Sequence, residues 1–166
     1  ELDPSAVFQT IVGYQKYYNT KKMKEKSELM FMSPSQYSLI NGIIRKHKQK
    51  NRLEVGVASG GSSILILKSI KDIKGAKLIS LDLNTNLYIN KNNLTGYRVK
   101  AFFHELINKL QLFTGEQPHI FLEKLNLKYD FIFLDTAHIS PGEIINLIEI
   151  LPFLKENAII ILFDII

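Results

Sequence analysis

The stretch from Arg52 to Ser63, RLEVGVASGGSS, constrains this chain more than any other part of it. An apolar run breaks into a glycine-rich turn, and a second apolar, helix-competent run from Ile64 to Ile70 follows at once. That order predicts strand, turn and helix, the place where α/β folds commonly seat a nucleotide. Gly56 is expected to permit the tight turn, Gly60 and Gly61 to let a ligand approach the backbone, and Ser62 or Ser63 to cap the helix. A further apolar run, Ala76 to Leu83, carries Asp82, 26 positions after Gly56. A carboxylate at the tip of a second strand is placed to accept hydrogen bonds from two ribose hydroxyls.

From Arg52 onward, strands and helices alternate. Strands are expected at 52–58, 76–83, 110–114, 129–135 and 158–164, and helices near 62–72, 97–109, 117–126 and 141–155. The near-continuous apolar strands Phe131 to Leu134 and Ile159 to Leu162 argue for a parallel sheet covered on both faces, an α/β fold. Residues 1–50 read as a helical prelude to this α/β unit at 51–166. Asp3 and Pro4 form a helix start whose apolar spacing runs to about Tyr18, and 19–28 is polar and loop-like. Ser33 and Pro34 open a second helix, with Tyr37, Ile40, Ile43 and Ile44 on one face. The polar, Asn-rich segment 84–96 reads equally as a loop over the site or as a plain surface insertion.

At 166 residues and 46% hydrophobic content the chain can bury one sizeable core, so one domain is expected. It has no cysteine, which excludes disulfides, thiolate metal sites and cysteine nucleophiles. No apolar run approaches membrane-spanning length, and the N-terminus lacks a signal-peptide layout, so the cytoplasm is the expected compartment. The net charge of +5 is uneven: residues 1–52 hold ten Lys/Arg against four Asp/Glu, and 53–166 hold eleven against twelve. The basic clusters are Lys21 to Lys26 and Arg45 to Arg52. They read either as attraction to an anionic acceptor or as a solvated face. Lysine outnumbers arginine 18 to 3, which argues against nucleic acid, since bidentate phosphate and guanine recognition favours arginine.

Two classes of nucleotide compete for the turn. A dinucleotide G-x-G-x-x-G/A pattern would map onto Gly56, Ala58 and Gly61, with Asp82 suited to NAD. The middle glycine is missing, and Glu54 would repel a pyrophosphate, whereas the same carboxylate favours a cationic amino acid moiety. The run Glu-x-Gly-x-x-x-Gly-x-Ser-Ser starting at Glu54, followed by a strand ending in Asp82, resembles motif I and its partner acid in class I S-adenosylmethionine-dependent methyltransferases. The resemblance implies a Rossmann-like doubly wound sheet of strand order 3-2-1-4-5. The family's complete sheet has seven strands, so strands six and seven are expected to be missing here. It also implies that S-adenosylmethionine is bound by Glu54, Gly56, Ala58, Ser59, Gly60, Ser62, Ser63 and Asp82. Gly115 and Glu116 would lie near the adenine, and Asp135 would close the site.

Loops at the carboxyl ends of parallel strands converge on one crevice. Four of the five here carry a carboxylate in or beside them, a pattern that apolar strands do not produce without a reason. The segment Tyr129 to His138 (YDFIFLDTAH), with Pro152 to Asp164 downstream, is similar to the motif IV to V region of bacterial small-molecule O-methyltransferases. The resemblance covers residues 33–166. In metal-dependent members, acids after strands four and five bind a divalent ion. Asp135 and Asp164 match those positions and suit Mg²⁺, while Ile165 stands where a further ligand would be. His138, with an ordinary pKa of about 6.5, is the alternative general base, and Asp135 is its catalytic companion. His47, His104 and His119 read as structural. The reaction expected is methyl transfer to a hydroxyl of a small molecule or sugar. A non-catalytic Rossmann-type binding or partner module and an NAD-dependent oxidoreductase are the alternatives.

Overall fold

The computed structural model describes residue 32 and residues 34–136 and 141–163. The helix and loop expected within 1–31 lie outside the described residues, as do His138 and Asp164. The described elements run α1 (Pro34–His47), β1 (Asn51–Val55), α2 (Gly61–Ile70), β2 (Lys77–Asp82), α3 (Tyr97–Phe102), a 3₁₀ turn (His104–Lys109), β3 (Leu110–Thr114), α4 (Pro118–Leu125), β4 (Tyr129–Leu134), α5 (Gly142–Ile150), a 3₁₀ turn (Leu151–Phe153) and β5 (Leu154–Leu162).

The five strands form one parallel sheet in the order β3-β2-β1-β4-β5. Alternation along the strands sends side chains to two cores. Leu78, Phe131 and Phe133 meet Ile40, Ile44 and the apolar residues of α2 on one face. Leu53, Val55, Ile79, Leu81, Ile132 and Leu134 meet Leu122 and Ile150 on the other. With apolar side chains on both faces, the central strands read as continuous hydrophobic runs. Burying each fully enclosed Leu, Ile or Phe contributes roughly 1.5–3 kcal/mol.

Two expected helices are shorter than their sequence patterns. The one at 97–109 stops at Phe103, whose φ of −139° and ψ of 44° are not helical, and a 3₁₀ turn takes over. The one at 141–155 stops at Ile150, and Pro152 in the following 3₁₀ turn lacks the N–H that a continuing helix needs. β5 therefore begins at Leu154 rather than at 158. Leu154 pairs with Tyr129, the register then slips, and regular pairing resumes at Ile159 against Phe131. Tyr129 packs in the same core as Ile132 and Leu134.

The basic cluster 45–52 lies at the amino end of the sheet. Arg45, Lys46 and His47 form the last turn of α1, and Asn51 opens β1. Arg52, counted with this cluster in the sequence, is wholly buried in β1. Burial lowers its guanidinium to about 10, with Asp130 acting in the opposite direction. Asp130 accepts hydrogen bonds from the backbone N–H of Asn51 at 2.9 Å and from Lys155 at 3.0 Å, tying β1, β4 and β5 together at this end.

Candidate functional site

At the carboxyl end of the sheet the chain leaves β1 through a turn that only special backbone conformations permit. Gly56 has φ +89°, and a Cβ there would stand 1.6 Å from the carbonyl oxygen of Asp135. Gly56 therefore serves the close approach of the β1 and β4 loops as well as the turn. Ala58 also lies in the left-handed region, at φ +47°. The Gly56 N–H donates to Leu81 O and the Asp135 N–H to Val55 O, both at 2.9 Å, so the loops after β1, β2 and β4 are locked side by side.

Asp82 closes this arrangement. Its Oδ2 accepts the backbone N–H groups of Val57 at 2.9 Å and Ala58 at 3.0 Å, and its Oδ1 accepts that of Asn84 at 2.8 Å. These bonds fasten the first residues of the turn to the end of β2.

Glu54 sits behind the turn. Its side chain is fully buried on the α2 face, and its Oε2 accepts hydrogen bonds from Ser63 at 2.6 Å and Ser80 at 2.5 Å. Ser80 is the register partner of Glu54 across β1 and β2. Oε1 has no hydrogen-bond partner among the described residues. Burial lifts the carboxyl from its ordinary 4.5 to about 7; Ser62, Ser63 and Ser80 oppose the rise, and the negative charge of Asp135 adds to it.

A cavity of about 590 Å³ opens above the turn. Val55 to Ala58, Asp82 to Asn84 and Tyr88 line it from the β1 and β2 side. Gln117 and Pro118 line it after β3, Asp135 and Thr136 after β4, Asn146 from α5, and Phe163 after β5. Asn146 donates from Nδ2 to the Thr136 hydroxyl oxygen at 3.1 Å.

Of the residues expected from the sequence, Gly56, Ala58, Asp82 and Asp135 converge on this cavity. Others do not line it. Gly60 packs against the chain itself: a Cβ there would lie 3.2 Å from Gly96 Cα and from Val99 Cγ2, so its bareness serves the close approach of the segment that opens α3. Gly61 is simply the first residue of α2. Ser62 and Ser63 cap nothing; Gly60 is the N-cap, with no side-chain cap bond, and Ser63 holds Glu54 instead. Ser59 uses its carbonyl to accept the Arg98 N–H at 3.2 Å. After β3 the lining residues are Gln117 and Pro118, one and two positions beyond Glu116. The sequence reading missed Tyr88, Asn146 and Phe163. Each sits in or next to a helix, strand or loop whose pattern alone says nothing about which side meets the crevice. Ser80, a polar residue amid an apolar strand, was the one legible sign that Glu54 has a buried partner.

The described residues do not build a metal centre: no group of three or more His, Asp and Glu side chains is positioned to share an ion among them. The basic residues 45–50 lie at the opposite end of β1 from the cavity. Five residues of strand span roughly 15 Å, beyond the screening distance of about 8 Å at physiological salt.

A family model described as a methyltransferase domain matches residues 53–165. No curated protein matches the chain. Among solved structures the chain is similar to the methyltransferase PaMTH1 of Podospora anserina, crystallised with S-adenosylhomocysteine, at 19% identity and a TM-score of 0.64, over 98% of this chain and 63% of that one. It is also similar to the O-methyltransferase TomG of Streptomyces achromogenes, in complex with S-adenosylmethionine, at 15% identity and a TM-score of 0.65, over 96% and 65%. The O-methyltransferase of Bacillus cereus, in complex with S-adenosylhomocysteine, gives 16% and 0.63, over 96% and 66%. The chain thus spans just under two thirds of the length of each. The shared feature is the fold.

Proposed function

The chain belongs to the methyltransferase-domain family, and from that premise we propose that it transfers a methyl group from S-adenosylmethionine to a hydroxyl of a small molecule or sugar. The observation that carries this reading is the seating of Asp82 on the amides of Val57 and Ala58. Asp82 is thereby fixed at the tip of β2, where ribose hydroxyls meet it, while Ala58 in place of the middle glycine and the carboxyl of Glu54 behind the turn disfavour a pyrophosphate. NAD is therefore the poorer fit. The cavity is of a size that takes a nucleoside with its side chain.

In this reading Asp82, which accepts three backbone N–H groups, keeps one lone-pair site, on Oδ1, for a ribose hydroxyl. The purine lies toward β3, against Leu83, Gln117 and Pro118. The cationic end lies toward β4, where Asp135 faces the cavity and Glu54 stands behind the turn with Oε1 unpartnered. When bound, the sulfonium supplies the electrophilic methyl group. The protein's own work is then to hold an acceptor oxygen in line and to take its proton. In this reading Asp135, which lines the cavity, accepts that proton, and the hydrogen-bonded Thr136 and Asn146 orient the acceptor. His138, three positions beyond Asp135, is the second candidate base. Of the pair expected to hold Mg²⁺, Asp135 lines the cavity and Asp164 lies outside the described residues.

Isothermal titration calorimetry with S-adenosylhomocysteine and with NAD tests the reading. Saturable binding of the former alone is expected. Tighter binding of NAD would overturn it.

A further inference from the structure

Each of the five strands is entered at a lysine. Lys50 precedes β1, Lys77 opens β2, Lys109 precedes β3, Lys128 precedes β4, and Lys155 is the second residue of β5. Because the strands are parallel and ordered β3-β2-β1-β4-β5, these positions lie side by side along one edge of the sheet. The registers keep them nearly level: Asn51 pairs with Lys77, Leu78 with Leu110, Arg52 with Phe131 and Tyr129 with Leu154. At a strand spacing of about 4.8 Å the row spans roughly 19 Å. Lys50, Lys77, Lys128 and Lys155 are exposed, and Lys109 is half-buried.

Helix chemistry accounts for some of the cations at this end. Helix C-termini gather at the amino end of a parallel sheet, and their carbonyls favour positive charge. That explains Arg45 and Lys46 in α1 and Lys124 in α4, but not lysines at strand entries. Lys109 and Lys128 each donate to a backbone carbonyl, of Ile73 and of Pro152, which satisfies the ammonium without cancelling its charge. Lys155 is bound to Asp130 at 3.0 Å, and Asp72 lies 3.8 Å from Arg45. Glu105, Glu123 and Glu156 are exposed at the same end and reduce its charge without interrupting the row.

Apolar side chains stand out beside the lysines. Ile107 before Lys109, Leu127 before Lys128 and Leu151 in the turn that leads into β5 are 42%, 39% and 50% exposed. The exposed aromatic side chain among the described residues, Tyr88, is on the cavity and not here. Single-stranded nucleic acid is held by stacking on aromatic rings, and bidentate phosphate recognition calls for arginine. This face offers lysine stems with apolar tips between them. They match a bilayer surface carrying acidic phospholipid, whose phosphates meet the ammonium groups while the apolar tips reach the acyl boundary.

We propose that the amino end of the sheet is a docking surface for a membrane containing anionic phospholipid, held by the lysine row and by Ile107, Leu127 and Leu151. The crevice opens at the carboxyl end of the sheet, so docking in this way leaves it facing away from the bilayer. The surface is a tether, and the acceptor enters from solution.

The test is cosedimentation of the full chain with phosphatidylcholine vesicles, with and without phosphatidylglycerol, over a salt series. Binding to the phosphatidylglycerol vesicles alone, weakening as salt rises, is expected. Two reversals with the same effect on net charge locate the contact: Lys77→Glu in the row, and Lys91→Glu on the exposed loop after β2 at the other end of the sheet. Lys77→Glu should weaken vesicle binding by about tenfold or more, and Lys91→Glu should bind as the unaltered protein does. Leu127→Ser, which keeps every charge, should weaken it by about threefold or more. Circular dichroism and thermal unfolding serve as fold controls for all three. Equal losses in Lys77→Glu and Lys91→Glu would reduce the attraction to net charge and overturn the proposal. So would unchanged binding in Leu127→Ser, indifference to phosphatidylglycerol, or tighter binding to duplex DNA than to the vesicles at matched phosphate and salt.

Discussion

Gly56 and Asp135 touch backbone to backbone: the missing Cβ of one occupies the space of the other's carbonyl oxygen. Two neighbouring parallel strands thereby end in loops that share one crevice wall, with the Asp135 N–H hydrogen-bonded to Val55 O at 2.9 Å. Gly56→Ala must both adopt φ +89° and displace backbone. A loss of at least about 3 kcal/mol in urea-unfolding stability is expected, because strain and clash add. Gly75→Ala is the internal comparison. It has φ +73° and nothing within 4 Å of the added Cβ, so it should cost only about 1–2 kcal/mol. Equal costs for the two would show that the contact with Asp135 carries no weight.

Asp82 is structural and ligand-facing at once, so its loss should show in two measurements. Asp82→Asn turns one of its oxygens into a donor facing N–H groups, which the present carboxylate accepts from Val57, Ala58 and Asn84. Stability should fall by about 1–3 kcal/mol, and the affinity for S-adenosylhomocysteine at least tenfold by calorimetry. A stability loss with unchanged affinity would remove Asp82 from the ribose and leave it as a clamp on the turn.

Glu54 makes stability depend on pH in an unusual direction. Unfolded, its carboxyl titrates near 4.5; folded, near 7. Between those values the folded state holds a proton that the unfolded state has released, so raising the pH favours unfolding. The contribution is fully present below about pH 4.5 and lost as pH rises through about 7, amounting to about 3 kcal/mol at most. Glu54→Gln mimics the protonated form and keeps an oxygen for Ser63 and Ser80. Its stability relative to the unaltered protein should therefore improve steadily from pH 4.5 to 7.5 in chemical denaturation. A flat difference would mean that Glu54 is ionised throughout.

Asp135→Asn should separate chemistry from binding. If Asp135 accepts the acceptor proton, methyl transfer falls by roughly a hundredfold or more, far more than the affinity for S-adenosylhomocysteine, which loses only one carboxylate at its cationic end. The same variant removes a negative charge that raises the Glu54 carboxyl. The pH window of the preceding paragraph should accordingly move to lower pH. Retained turnover would transfer the base to another residue, with His138→Ala as the next measurement.

Much of the architecture was legible in the residues because it rests on local, periodic signals. Apolar runs in Phe131 to Leu134, the break at Gly56 and the helix-competent run after it identify a parallel α/β sheet, and the order β3-β2-β1-β4-β5 agrees with the expected one. Asp82 and Asp135 were legible as well, since they end apolar strands where an ionised group needs a reason to be. Which neighbours these residues meet was decided only in three dimensions. Ser63 and Ser80 are far apart in sequence from the viewpoint of any local rule, yet both reach the Glu54 carboxylate because α2 packs over the β1–β2 pair. Gly60 was expected from the sequence to face a ligand, and its packing against Gly96 and Val99 was visible only in three dimensions. Tyr88 and Asn146 came to the cavity through the closure of a loop and the rotation of a helix, neither of which leaves a periodic trace. Periodicity reports how a segment buries its own surface; a site is made where several segments end, and only tertiary packing determines which ends meet.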